Sequence, residues 1–127
     1  MKRNILFIAL SLFVFASKAQ EYKEHYKNGT LKVFGAKKNN LKTGEWKYYF
    51  ENGKISKTGN YLEGKLHGEW KYYHENGALR TIGNYKNGKF TGEWKYYYPT
   101  GKLKTEGTFK KGIKEGLWRY LYKNGRK

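Results

Sequence analysis

Cysteine and aspartate are both absent from this 127-residue sequence, and acidic residues of any kind are few. Without cysteine the chain can form neither disulfides nor a thiolate metal site, and it has no acceptor for a bacterial lipoprotein anchor. Its ten acids are all glutamate and stand against 27 lysines and arginines, for a formal charge of +17. Such an excess favours anionic partners, whether membrane, polysaccharide, nucleic acid or acidic protein, without selecting among them.

Long apolar stretches are also missing, apart from one run at residues 5–15. Lys2 and Arg3 precede this run, and small residues lead from it to Ala19, which is typical of a secretory signal peptide cleaved after Ala19. A retained membrane anchor is the alternative, but a spanning helix needs roughly 18 to 20 apolar residues. The pattern therefore favours cleavage and export.

The predicted organisation is a signal peptide at 1–19 and a single domain at 20–127, exported to the periplasm or outside the cell. Cleavage removes three basic residues (Lys2, Arg3 and Lys18), which leaves 24 against ten acids and a mature charge of +14. Aliphatic residues are few, so the aromatic residues have to supply most of the packing in this domain.

The hexapeptide Gly-Glu-Trp-Lys-Tyr-Tyr occurs three times at intervals of 24 residues, at 44–49, 68–73 and 92–97. A degraded copy begins at Gly116, and a looser one begins at Tyr22. A fixed period of this length indicates a repeat architecture. The predicted units are 22–43, 44–67, 68–91, 92–115 and 116–127.

Regularly spaced turn signals divide each unit into two strands. Asn-Gly between alternating apolar runs predicts a two-residue type I′ hairpin, since both turn positions need positive φ. The expected fold is therefore all-β, an elongated antiparallel meander sheet of stacked 24-residue β-hairpins. The turn signals are Asn28-Gly29, Asn39-Asn40, Asn52-Gly53, Glu63-Gly64, Asn76-Gly77, Asn87-Gly88, Thr100-Gly101, Lys111-Gly112 and Asn124-Gly125.

A two-residue loop at Asn52-Gly53 also predicts the register. It places Trp46 opposite Gly59 and Phe50 opposite Ile55, and we expect each tryptophan ring to cover the glycine that it faces. The same counting applies in the later units. The predicted structural residues are Trp46, Trp70, Trp94, Trp118, Gly59, Gly83 and Gly107.

Alternation assigns the tryptophans to a core face and leaves a second face striped with glutamate, lysine and tyrosine. Tyr49, Tyr73 and Tyr97 are expected opposite Ser56, Arg80 and Lys104. Aromatic rings beside cations suit sugar rings, anionic head groups or nucleic-acid bases. The alternative is that tyrosine simply favours strands and lysine keeps an exposed sheet soluble. The candidate binding residues are Lys47, Tyr49, Lys71, Tyr73, Lys95, Tyr97 and Arg119.

Catalytic and metal-binding patterns are not evident. His25, His67 and His74 have no regular ligand spacing, and neither aspartate nor cysteine can join them. Glutamates recur every 24 residues and could be read as paired acid and base, but each lies two residues from a lysine on an exposed face that forms no obvious cleft. These glutamates are Glu45, Glu69 and Glu93. We expect no catalytic residue, metal or cofactor.

The succession Gly-x-Trp-x-Tyr-Tyr, Asn-Gly, an apolar position, glycine, an aromatic residue and a second X-Gly pair resembles the MORN-repeat variant. Units 44–67, 68–91 and 92–115 match well, and the flanking units match in part. The resemblance implies stacked hairpins without catalytic residues. Bacterial proteins of this variant are often labelled antitoxins of the YwqK family, and the wider MORN class is associated with attachment to membranes or proteins.

Two functions follow from these expectations, and both are non-enzymatic. The first is protein binding of the antitoxin or immunity kind, which the resemblance implies. The second is attachment of the basic surface to anionic lipid or polysaccharide at the cell envelope. Export makes nucleic acid a poor candidate, and no transmembrane segment is expected in the mature chain.

Overall fold

A computed structural model describes residues 3–4, 9 and 17–124 of the chain. Within these ranges the protein is one antiparallel sheet of nine strands without any helix, so the predicted all-β meander is confirmed. The strands lie side by side in chain order, and each pairs only with its neighbours in sequence. They are β1 (Gln20–His25), β2 (Leu31–Lys38), β3 (Leu41–Tyr49), β4 (Ile55–Leu62), β5 (Lys65–Tyr73), β6 (Leu79–Lys86), β7 (Lys89–Tyr97), β8 (Leu103–Lys110) and β9 (Ile113–Tyr120).

Two predictions concern segments that the structure covers only in part. Most of the predicted signal peptide at 1–19 lies outside the described residues, as does Gly125 of the last Asn-Gly pair. Over the described part of the chain, no helix combines the length and the apolar composition needed to cross a membrane.

Four turns have the predicted two-residue form. At Asn87-Gly88 both residues have positive φ, 51° and 77°, and Lys86 pairs directly with Lys89. These dihedral angles define the type I′ hairpin, whose twist matches that of the flanking strands. Together the four turns form one end of the sheet, here called the two-residue turn row: Asn39-Asn40, Glu63-Gly64, Asn87-Gly88 and Lys111-Gly112.

The turns at the opposite end of the sheet are longer than predicted. The N–H of Gly53 donates to the carbonyl of Phe50 at 2.9 Å, and the N–H of Phe50 donates to the carbonyl of Lys54 at 2.8 Å. Of the Asn-Gly pair only the glycine has positive φ (85°), so this is a type I turn closed by a left-handed glycine. The expected pairing of Phe50 with Ile55 is wrong, because the longer turn places Ile55 opposite Tyr49.

Asparagine side chains connect these longer turns to one another. The Oδ1 of Asn52 accepts the N–H of Lys54 at 2.9 Å, and its Nδ2 donates at 3.0 Å to the carbonyl of Glu75 in the next turn. Asn76 makes the same pair of contacts, with its amide donating to the carbonyl of Pro99 at 3.0 Å. The following turn carries Thr100, which has no amide group to donate. Within the part of the chain that the structure describes, the series of asparagine links therefore ends at this turn.

Thr100→Asn should stabilise the protein by about 1 kcal/mol, because the new side chain can accept an N–H within its own turn and donate to the turn beyond. Urea denaturation of the variant and the parent measures the difference. The reverse change, Asn76→Thr, is the matched control and should cost a similar amount. Equal midpoints for all three proteins would contradict the role assigned to these asparagines.

The predicted Cα register of the tryptophans is confirmed, but the expected position of their rings is wrong. Trp46 pairs with Gly59, and Trp70 pairs with Gly83, as expected. The ring of Trp70, however, lies on Gly59 of the preceding strand, where a Cβ atom would overlap it. Trp46, Trp94 and Trp118 lie in the same way on Gly35, Gly83 and Gly107.

A bulge explains where the rings lie. Thr58 pairs with Lys71 and Asn60 with His67, so the three residues 68–70 face the single residue Gly59. Gly68 adopts a φ of +70°, which turns the bulged strand and brings the Trp70 ring across to the earlier strand. The indole N–H then donates to the carbonyl of Asn60 at 3.0 Å.

The core lies on one face of this single sheet and is almost wholly aromatic. Trp46 and Trp70 are completely buried, and Trp94 is nearly so. Tyr85 and Phe109 pack against Trp94 with rings close to perpendicular. Such edge-to-face contacts add to the stability gained from area burial alone. Aromatic rings thus take the place of a second layer of secondary structure.

Candidate binding surface

Four of the candidate binding residues share one line across the second face of the sheet. Lys47 and Lys71 both pair with Thr58, and Lys71 and Lys95 both pair with Ile82. Because strands lie about 4.8 Å apart, successive lysines recur about every 10 Å. Arg119 extends this line by pairing with Glu106, which itself faces Lys95. The lysine row is defined here as Lys47, Lys71, Lys95 and Arg119.

Each member of the lysine row has a glutamate partner. The Nζ atom of each lysine lies 3.3–3.8 Å from the carboxylate two residues earlier on the same strand, in the pairs Lys47–Glu45, Lys71–Glu69 and Lys95–Glu93. Arg119 pairs with Glu106 on the neighbouring strand. These lysine side chains remain between 38% and 42% exposed, so the pairs add little stability. Their effect is electrostatic: the row presents alternating charges and little net charge.

The three tyrosines of the candidate surface have neighbours other than those predicted. Tyr49 lies opposite Ile55, and Tyr73 opposite Leu79, because Ser56 and its equivalents are the extra residues of bulges next to the long turns. Tyr97 likewise pairs with Leu103, so the expected partners Ser56, Arg80 and Lys104 are wrong. Each tyrosine is half-buried and pairs with an aliphatic residue of the neighbouring strand. The direct cross-strand partners of these tyrosines are thus aliphatic and not cationic.

The aromatic face also carries polar groups that are partly accessible. The hydroxyl groups of Tyr48 and Tyr61 lie 3.1 Å apart, and those of Tyr72 and Tyr85 lie 2.7 Å apart. Burial, followed by the hydrogen bond to Tyr48, raises the pKa of Tyr61 to about 12. Burial likewise raises the pKa of Tyr85. All four phenols are therefore neutral at physiological pH and act as hydrogen-bonding groups.

Several lysines on the aromatic face were missed by the sequence analysis, and Lys42 and Lys57 are two of them. Lys42 donates to the Tyr48 hydroxyl at 2.9 Å and lies 4.7 Å from the centre of the Trp46 ring. Lys57 lies 4.5 Å above the Tyr48 ring, and burial together with the nearby Lys42 lowers its pKa. Alternation already places Lys42 with Trp46, and this signal could have located it. Both lysines hold aromatic rings in place, which is a structural use of cation–π contacts.

Residues considered for chemistry lie apart from one another or in ion pairs. No group of three potential metal ligands occurs among the residues that the structure describes. His74 bonds through Nε2 to the carbonyl of Tyr97 at 2.9 Å, in the position where Tyr98 uses its hydroxyl to reach Leu121. Its contact is that of a turn-linking side chain. Glu45, Glu69 and Glu93 are the ion-pair partners of the lysine row on an open face.

Comparison with protein families locates the repeat directly. The family model described as MORN repeat variant matches three consecutive stretches, 42–63, 66–87 and 90–111, which together cover more than half of the chain. Each stretch begins within a tryptophan-bearing strand and ends at a turn of the two-residue row. A comparison with curated proteins finds no match.

Proposed function

Because the chain belongs to the MORN repeat variant family, we propose that it is a non-enzymatic module that binds a protein partner through the face carrying the lysine row. MORN repeats are generally binding modules. The proposed site consists of the lysine row together with Tyr49, Tyr73 and Tyr97. A single sheet offers such a partner a broad, nearly continuous surface, which suits a protein better than a small substrate.

The pairing of each row lysine with a glutamate carries this proposal. A surface designed for an anionic polymer gains from uncompensated positive charge, whereas a glutamate 3.3–3.8 Å away cancels much of each lysine's field. Alternating charges bordered by half-buried tyrosines are typical of protein interfaces, where charge complementarity selects the partner and aromatic residues supply the affinity.

The finer proposal is a partner of the toxin kind, so that the module acts as an antitoxin or immunity protein. Export is proposed with it, on the strength of the apolar run and Ala19. The mature protein should then begin at Gln20, and mass spectrometry of the N-terminus measures this. An intact Met1 on a protein recovered from the cytoplasm would contradict export.

Attachment to anionic lipid or polysaccharide is the second candidate, favoured by the mature charge of +14. Binding of this kind collapses as salt screens the charges and requires no protein partner. It depends on total charge more than on any one tyrosine, and this difference separates the two candidates experimentally.

Reversing Lys47, Lys71 and Lys95 together to glutamate should abolish capture of the partner, because three ion pairs become three repelling pairs. Tyr73→Ala alone should weaken capture by about 1 to 2 kcal/mol, as expected for an aromatic anchor. Affinity capture from an envelope extract, followed by titration against the purified partner, measures both effects.

The matched control reverses Lys27, Lys102 and Lys123, which are exposed near the longer turns, and so changes the net charge equally. This control should capture the partner as the parent does. Binding to vesicles of anionic lipid, in contrast, should weaken equally in both triple variants. If Tyr73→Ala has no effect and the two triple variants weaken capture equally, attachment by charge is the correct function and the protein-binding proposal is wrong.

A further inference from the structure

Two pockets lie at equivalent places along the two-residue turn row, 48 residues apart in sequence. The first, of about 420 Å³, opens beside the turns at Asn39-Asn40 and Glu63-Gly64. The second, of about 380 Å³, opens beside those at Asn87-Gly88 and Lys111-Gly112. Both are shallow and formed by two neighbouring hairpins, so any difference between them comes from their side chains.

The two pockets differ sharply in charge. Leu41, Leu62 and Glu63 line the first, whereas the equivalent positions of the second are all lysine. The first pocket therefore combines two lysines with one glutamate and two leucines. No acidic residue lines the second, and the ion pairs found among the described residues involve none of its lysines. The lysines of the second pocket are Lys86, Lys89, Lys110 and Lys111.

Concentrating these charges opposes folding. Lys86 and Lys89 are direct partners across the Asn87-Gly88 turn, and like charges directly opposite are destabilising. In the three equivalent hairpins one member of the pair is apolar: Lys38 faces Leu41, Leu62 faces Lys65, and Lys110 faces Ile113. The third hairpin departs from this rule, and no ion pair among the described residues offsets the repulsion.

A backbone hydrogen bond holds the turn that carries Lys110 and Lys111 next to the turn between Lys86 and Lys89. The N–H of Gly112 donates to the carbonyl of Phe90 at 2.9 Å, which fixes the turn carrying Lys110 and Lys111 beside strand β7. A Cβ atom at Gly112 would lie 3.9 Å from the Cβ of Lys89, so this turn packs on the base of that lysine. The four lysines that line this pocket thus come from two neighbouring hairpins joined by a backbone hydrogen bond.

We infer that this pocket is a binding site for a multiply charged oxyanion of the polyphosphate class. Lysine ammonium groups bind phosphate oxygens as point charges. Four of them in one pocket suit a small ligand that carries several negative charges better than a ligand that carries one carboxylate. Asn87 and Thr91 add polar side chains to the lining. The site lies at the turn row, away from the lysine row and its proposed protein partner.

Inorganic tripolyphosphate is the probe, and orthophosphate, which has a single phosphate unit, is the comparison. Binding of each to the mature protein is measured by isothermal titration calorimetry. Saturable binding of one tripolyphosphate per chain is expected, at least about tenfold tighter than orthophosphate. The test variant is Lys89→Leu with Lys110→Leu and Lys111→Glu, which gives these three positions of the second pocket the residues that stand at Leu41, Leu62 and Glu63 in the first. Because the chain already tolerates those residues there, the variant should fold and lose at least about tenfold in affinity.

The control variant, Lys27→Leu with Lys102→Leu and Lys123→Glu, has the same net charge but leaves the pocket intact. It should bind tripolyphosphate within about twofold of the parent at a fixed ionic strength. Equal losses in the two variants would assign the affinity to overall charge and overturn the site. Non-saturable binding by the parent, or equal affinity for the two phosphates, would overturn it as well.

Discussion

Trp70→Ala should lower the free energy of unfolding by about 3 to 5 kcal/mol, the usual consequence of emptying a large aromatic site. The Trp70 side chain is fully buried, its ring covers Gly59, and its indole N–H bonds to the carbonyl of Asn60. Removing it therefore exposes backbone and deprives a carbonyl of its donor, in addition to leaving a cavity. Denaturant melts of variant and parent measure the loss.

Trp118→Ala is the matched control, since Trp118 covers Gly107 in the same way but lies on the edge strand β9. Its ring is only partly buried, and its indole nitrogen has no hydrogen-bond partner among the described residues. The loss should be clearly smaller than for Trp70. Equal small losses for both variants would contradict the packing described for the tryptophans.

Gly83→Ala should cost at least ~3 kcal/mol, at the upper end of the range for overpacking, because the added methyl group would overlap the ring of Trp94. The φ angle of Gly83 is compatible with alanine, so the effect is steric and not a matter of backbone strain. The ring cannot move aside readily, since it is 1% exposed and held by Tyr85, Phe90 and Phe109. Thermal and urea unfolding measure the loss.

A double-mutant cycle decides which glycine the Trp94 ring covers. In a Trp94→Leu background, Gly83→Ala should lose most of its effect, with a coupling energy of about 2 kcal/mol. Gly107 pairs with Trp94 across β7 and β8 but is covered by Trp118. Gly107→Ala should therefore couple to Trp94→Leu clearly less strongly than Gly83→Ala does. The opposite pattern of coupling would place the Trp94 ring on Gly107, as alternation alone predicts.

The sequence was sufficient for the sheet, its strand order and the Cα partners of the tryptophans, because all of these depend on a period that repeats without error. It could not locate the rings, since the bulge at Gly68 adds the same residues to every unit and leaves the 24-residue period unchanged. The two kinds of turn were also concealed, because Asn-Gly is compatible with both. The alternating spacing of 11 and 13 residues between successive turn glycines contained that information.

The candidate site was predictable as a set of positions but not as an electrostatic surface. Alternation places Lys47 and Lys71 on one face, and the register puts them in line. Their pairing with Glu45 and Glu69 depends on rotamers that a spacing of two residues does not determine. The lysine-lined pocket escaped notice for a different reason: its four lysines come from two hairpins that only the bonded turn at Gly112 brings together.

Pairing each strand only with its sequence neighbours also determines how this protein gains and loses structure. The chain that must close before any two strands meet is a single hairpin, so the entropy of loop closure is small and contact order is low. Nucleation can occur at any unit and propagate in both directions. Among the described residues β1 and β9 are each paired on one side, so they should fray independently of the centre. Amide hydrogen exchange should accordingly be graded from the middle strands outward. A ligand that spans several units would join them into one cooperative block.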